Sequence, residues 1–300
     1  MKLLKLTGLP NLLLLALSLF VFKYGFLDRQ AGFESALNNW QYALFVLACV
    51  LIAAGGFFMN TVFGYGKDTN TSISEAKGYN FYIALTLAGV ALGYYIANFT
   101  GKPMFVGIFI VAAATMYIYA TSLKQTVLIS NIVVALLMTL PIVAVGLFTI
   151  YPMLNPNNQP LLATLFSLML DYAYFTFALS LLFTFINDLA HADADYNSGI
   201  DTLPILLGRA RAVKIVLVFT LLPVCMVLYY GNTFLQDLLW AVGYGLLFII
   251  APFVYFLIKL WSATTEKDFA HLEKVLKLVL FFTALSIAVI TLNIQYHVKG

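Results

Sequence analysis

Nine windows of about twenty mostly apolar residues, separated by short polar turns, constrain this chain more than any other feature. A helix crossing the hydrocarbon core of a bilayer needs about 20 such residues. The windows fall near Gly8–Leu27, Gln41–Phe63, Tyr79–Phe99, Pro103–Leu123, Val127–Leu154, Leu161–Ile186, Ala212–Tyr230, Leu238–Trp261 and Leu272–Ile294. With 62% apolar and 10% charged residues, the chain is too greasy for a water-soluble globule, which runs at roughly 45–50% apolar. Turn-forming stretches such as Asn155-Pro156-Asn157-Asn158-Gln159-Pro160 mark the connections, and none leaves room for a soluble domain. The reading is one all-α, polytopic membrane domain over residues 1–300.

The distribution of charge orients it. If the N-terminus is cytoplasmic, twelve of the 16 Lys and Arg residues fall on the inner side, and Lys23, Arg29, Lys102 and Lys299 on the other. That asymmetry follows the positive-inside rule and predicts a cytoplasmic N-terminus in a bacterial or archaeal plasma membrane. Lys2 and Lys5 ahead of a leucine-rich run resemble a secretory signal, but the run is long and no small-x-small cleavage site follows it. Cys49 and Cys225 both lie inside apolar windows, which predicts buried small hydrophobes and no disulfide framework. Lys23 is read as snorkelling from the end of its helix.

Against this background Asn187-Asp188-Leu189-Ala190-His191-Ala192-Asp193-Ala194-Asp195 is an expensive concentration of charge. Ionisable groups so close to hydrocarbon are kept when something binds them. Asp188, His191 and Asp195 recur at i, i+3 and i+7, one helical face, whereas Asp193 is off that stripe. A second polar loop, Asn60 to Asn70, contains Asn60, Gly64 and Asp68 at i, i+4 and i+8. Four spans separate the two loops, so they open on the same compartment. Mg²⁺ prefers hard oxygen ligands and is commonly held by one or two carboxylates plus substrate phosphates. Asp188 and Asp195, with Asp68 from the other loop, match that requirement. Asp171 is an intramembrane acid for which a functional role and a helix–helix hydrogen bond both stand.

At these residues the chain resembles the UbiA superfamily of intramembrane prenyltransferases. Asn187-Asp188-x-x-His191-x-x-x-Asp195, followed by Gly199, Thr202-Leu203-Pro204 and Leu207-Gly208-Arg209, looks like the family's second aspartate motif. Gly55-Gly56-x-x-x-Asn60 through Asp68 is similar to the first. Tyr119 and Lys124 resemble the tyrosine–lysine pair at the end of the fourth helix, and Asn11 matches a first-helix asparagine. The segments Thr202–Arg211 and Ser122–Val134 look closest to the geranylgeranylglyceryl phosphate synthase-like branch. The resemblance implies nine helices around a central apolar chamber and transfer of an isoprenoid group from a polyprenyl diphosphate to a small acceptor. It further implies Mg²⁺ held by Asp68, Asp188 and Asp195, catalytic roles for Asp188, Asp195, Lys124 and Tyr119, and substrate binding by Asn11, Asn60, Asp68, Asn187, His191 and Arg209. Membrane lipid is the other partner, and nucleic acid is not one.

The chain also departs from the pattern. Thr61 and Gly64 stand where the family has aspartates, and His191 where an aspartate is usual. Neutral imidazole suits Zn, Cu or Ni better than Mg²⁺, so the metal site has lost anionic ligands. A non-catalytic relative that binds isoprenoid or lipid is therefore the alternative. A secondary transporter is the third reading, disfavoured because the acids gather at one mouth instead of the midplane.

Overall fold

A computed structural model describes residues 7–62 and 75–297 of the chain. Those residues form helices and turns, with no strand among them. The long helices are α1 (Leu9–Phe20), α2 (Asn39–Val62), α3 (Glu75–Phe99), α4 (Val106–Thr121), α5 (Ile129–Thr149) and α6 (Gln159–Ala190). Two short helices follow, α7 (Ala192–Asn197) and α8 (Leu203–Leu207), and then α9 (Arg209–Phe234). A π-turn over Leu246–Ile250 joins α10 (Leu239–Gly245) to α11 (Ala251–Ser262), and α12 (Glu266–His297) ends the bundle. Among the described residues nine spans are long and apolar enough to cross a bilayer.

The sequence windows and the helices agree in position and differ at the ends. Helix α6 passes Ile186 and carries Asp188 within its last turn, and α12, the ninth span, begins at Glu266, six residues before its apolar window. Hydropathy registers the bilayer, whereas a helix ends where its backbone is capped. At 32 residues each, α6 and α12 are roughly 48 Å long at 1.5 Å per residue, well beyond a hydrocarbon core of about 30 Å. Local chemistry sets the starts. Asn38 and Gln41 exchange side-chain and backbone hydrogen bonds ahead of α2, both 2.9 Å. Asp268 accepts from the Thr265 N–H at 2.9 Å while its own N–H donates to Thr265 Oγ1 at 3.3 Å, a capping box for α12.

Neighbouring helices pack in chain order, and α12 returns to touch α1 and its π-turn, which closes the bundle into a ring. The core falls into two main clusters sharing one spine. Leu162, Leu165, Met169 and Ala173 of α6 join α1, α2, α4 and α5, while Phe175 through Ala190 of the same helix join α9, α11 and α12. Glycines allow close approach where helices touch, as small residues do in membrane bundles. A Cβ on Gly93 of α3 would run into the Phe109 ring of α4, and one on Gly146 of α5 into Phe166 of α6.

The ring has two rims. At one, Gln295 Nε2 donates to the Arg29 carbonyl at 2.8 Å and the Ala36 N–H to the Thr149 carbonyl at 3.0 Å. At the other, Arg209 reaches Glu266 at 3.4 Å, joining the starts of α9 and α12. Two expectations are corrected here. Lys23 does not snorkel: the π-turn Val21–Phe26 at the end of α1 rotates it inward, to 2% exposure. There it pairs with Asp28 and the Leu37 carbonyl, both at 3.3 Å, above the Tyr42 ring. Cys225 is exposed on α9, while Cys49 is partly buried.

Candidate active site at one rim

Asp188 sits in the last turn of α6, half-buried. The helix then breaks at His191 (φ −114°, ψ 13°) and resumes as α7, which carries Asp195 at 9% exposure. The Asp195 N–H donates to the His191 carbonyl at 2.9 Å, so one hydrogen-bonded turn spans the break. Gly199, at φ 69°, then reverses the chain, a conformation suited to glycine. The two carboxylates lie within electrostatic range of each other, and Lys124 and His191 act on both. Tyr119, half-buried on α4, lies within range of both as well. Burial pushes the Asp195 carboxyl above the ordinary carboxylate range, with Lys124 and His191 pulling the other way.

The connection from α4 to α5 holds the opposite wall. Lys124 lies in a 3₁₀ turn, Leu123–Gln125. Leu128 then adopts φ 65°, ψ −44°, and the Ile129 N–H closes a three-residue turn onto the Val127 carbonyl at 2.8 Å. This is the rarer, strained form of the γ-turn, and it is occupied here by a residue with a Cβ. It launches α5 so that Asn131, 3% exposed, donates from Nδ2 to Asp188 Oδ2 at 2.8 Å. Sequence reasoning did not single out Asn131. Its only signal was a polar side chain one turn into an apolar helix.

The remaining residues fall into place unevenly. Asn60 is in the final turn of α2, and its Oδ1 is buried without a partner among the described residues. Asn11 is half-buried in the first turn of α1. Asn187 is half-buried, with its carbonyl 2.9 Å from His191 Nδ1, and His191 itself is exposed. Arg209 is engaged elsewhere: its Nη2 lies 2.9 Å from Asp193 and 3.4 Å from Glu266, bracing α7, α9 and α12 at the rim. Asp193, off the acidic stripe in sequence, is indeed the more exposed carboxylate. Thr61 donates to the Phe57 carbonyl at 2.8 Å. Asp68 and Gly64 lie outside the described residues. Asp171, well inside α6, is hydrogen-bonded by Tyr230 of α9.

Two carboxylates, an amide that fixes one of them, a lysine and a tyrosine gather at one rim as the candidate site. Carboxylate oxygens suit Mg²⁺ and not soft metals. The described residues contain no group of three His, Cys, Asp or Glu side chains able to enclose a metal.

Fold and site together define a class, an integral, multi-pass membrane enzyme with an acid-lined rim. The chain belongs to the UbiA prenyltransferase family, whose model matches residues 29–286. It is a membrane prenyltransferase, moving an isoprenoid group from a prenyl diphosphate to an acceptor. It is 27% identical over 219 residues to the digeranylgeranylglyceryl phosphate synthase of Methanosphaera stadtmanae, covering 69% of this chain and 71% of that one. To the enzyme of the same name from Thermococcus kodakarensis it is 28% identical over 198 residues, 63% of this chain and 65% of that one. A solved digeranylgeranylglyceryl phosphate synthase structure superposes with a TM-score of 0.63 at 16% identity, covering 96% and 97% of the two chains. A UbiA homolog from Archaeoglobus fulgidus, bound to DMAPP and Mg²⁺, gives 0.60 at 16% identity over 95% and 99%.

Proposed function

We propose that the chain works as one transmembrane unit that transfers a prenyl group of geranylgeranyl type onto a phosphorylated glycerol lipid. Asp188 and Asp195, completed by Asp68, would hold Mg²⁺, and the cation supplies charge neutralisation to the departing diphosphate. Asn131 donates to one oxygen of Asp188 and so orients its carboxylate. Lys124 places a positive charge beside both acids, where it also favours an anionic substrate, and the Tyr119 hydroxyl borders the same space. Asn11, Asn60, Asn187 and His191 supply polar contacts, and Arg209 acts through the rim brace. The apolar bundle keeps water from a reactive allylic centre. The observation that carries this reading is the convergence of Tyr119, Lys124, Asn131, Asp188 and Asp195 from four helices and a turn onto one rim.

The test is release of pyrophosphate from geranylgeranyl diphosphate by purified protein, with geranylgeranylglyceryl phosphate as acceptor. Release should require Mg²⁺, and Asp188→Ala should lower it by about 10²–10³ or more, the cost of losing an important electrostatic group. Turnover that survives both chelation and Asp188→Ala would overturn the assignment.

A second reading, isoprenoid binding with little turnover, is favoured by Thr61, whose hydroxyl is turned back onto its own helix where the family has an aspartate. Under it, prenyl diphosphate binds without pyrophosphate release, and the Thr61→Asp/Gly64→Asp double variant raises Mg²⁺ affinity and restores turnover. A double variant with unchanged Mg²⁺ affinity would show that those positions do not face the cation.

A further inference from the structure

A second polar basin lies away from the carboxylates, on the outer face of the α11–α12 hairpin. It encloses about 240 Å³ and is lined by Tyr255, Lys259, Ser262, Ala263, Asp268 and His271. The inward faces of the two helices bury Phe253, Phe256 and Leu260 on one, and Phe269, Leu272 and Leu276 on the other. Tyr255 and Lys259, one turn apart on α11, and His271 on α12 are exposed on the opposite, outward side. The Arg209–Glu266 contact puts this hairpin at the same rim as Asp188 and Asp195.

We infer that this basin binds the phosphate headgroup of a lipid in the leaflet on that side. Lys259 brings a compact positive charge with three donors. Tyr255 Oη and His271 Nε2 are 2.8 Å apart, and in either direction of that bond the pair keeps one donor to spare. When the hydroxyl donates, Nδ1–H is left over; when the ring donates, the hydroxyl proton is. A cation plus a fixed N–H or O–H is the chemistry that recognises a phosphate oxygen pair.

Asp268 refines the ligand. Its Oδ2 is already committed to the N–H groups of Thr264 and Thr265 and to Thr265 Oγ1, at 3.2, 2.9 and 2.8 Å. A carboxylate in the lining favours a headgroup with a donor of its own beside the phosphate, as in a glycerol or ethanolamine ester. Beyond the basin, Val254, Ile258 and Trp261 are 50%, 64% and 80% exposed. They offer an apolar wall and an interfacial ring at the depth where acyl chains begin.

Trp261 is also the reporter. Trp40 and Trp240 are the other two tryptophans, and both stand at helix starts on the opposite rim. In full-length Trp40→Phe/Trp240→Phe protein held in a neutral detergent, phosphatidylglycerol should produce a saturable change in Trp261 emission. Phosphatidylcholine, whose trimethylammonium has no donor, should not. Lys259→Gln/His271→Gln should weaken the response by about tenfold or more, as loss of a charge-assisted contact does. Lys267→Gln/Lys274→Gln, which removes equal or greater charge from the flanking surface, should keep it within about threefold. Saturation by glycerol 1-phosphate alone would support the phosphate site and make its source a soluble monoester; no response to the monoester makes the source the bilayer. Equal weakening in both variant pairs, or none in the first, would overturn the site. The readout is binding, so it stands or falls independently of prenyl transfer.

Discussion

Asn131 and Asp188 are 57 residues apart in the chain and meet at 2.8 Å. A carboxylate held by one neutral amide keeps its second oxygen for a cation, whereas a bidentate arginine would occupy both oxygens. Outer partners of metal ligands typically change affinity or activity by about 10–100-fold when removed. Asn131→Ala should therefore raise the Mg²⁺ concentration needed for half-maximal pyrophosphate release by that factor, with protein yield and helicity unchanged. Equal Mg²⁺ dependence in variant and wild type would make the hydrogen bond a structural one only.

Helices in this bundle are placed by contacts that hydropathy does not see. The α3–α4 approach depends on Gly93, because Phe109 fills the space a methyl would need and is itself 3% exposed against Phe45 and Phe148. Gly93→Ala should cost about 1–3 kcal/mol, the usual penalty for overpacking, read as a lowered thermal midpoint in detergent. Gly107, on the same helix α4, has open space around its Cβ position. Gly107→Ala should leave the midpoint unchanged or raise it slightly, by up to roughly 1 kcal/mol of helix propensity. If both variants behave alike, helix packing here does not depend on that contact.

At the level of the whole molecule, alternating spans put Lys124, Asp188, Asp195, Arg209 and the α11–α12 turn on one rim and Arg29, Lys102 and Asn157 on the other. The excess of basic residues on the first rim predicts that it faces the cytoplasm. In a Cys49→Ser/Cys225→Ser background, Ser262→Cys should react with a membrane-impermeant maleimide only after the membrane is opened, and Asn157→Cys in intact cells. The reverse pattern would invert the topology and move the site to the outer surface.

Sequence alone determined the span count, the approximate ends and the family. Each of these is written in local period, composition or motif, and a bilayer makes such patterns decisive because no backbone polar group can go unpaired in hydrocarbon. Tertiary structure decided what distant segments do to one another. It put Asn131 onto Asp188 and drew Arg209 to Asp193 and Glu266. Through a π-turn it buried Lys23, and it paired His271, which has no neighbouring ligand in sequence, with Tyr255. These outcomes depend on the rotation of each helix about its own axis, which is fixed by close contacts such as Gly93 against Phe109 and by turns such as Leu128. A hydrophobic window carries no record of either.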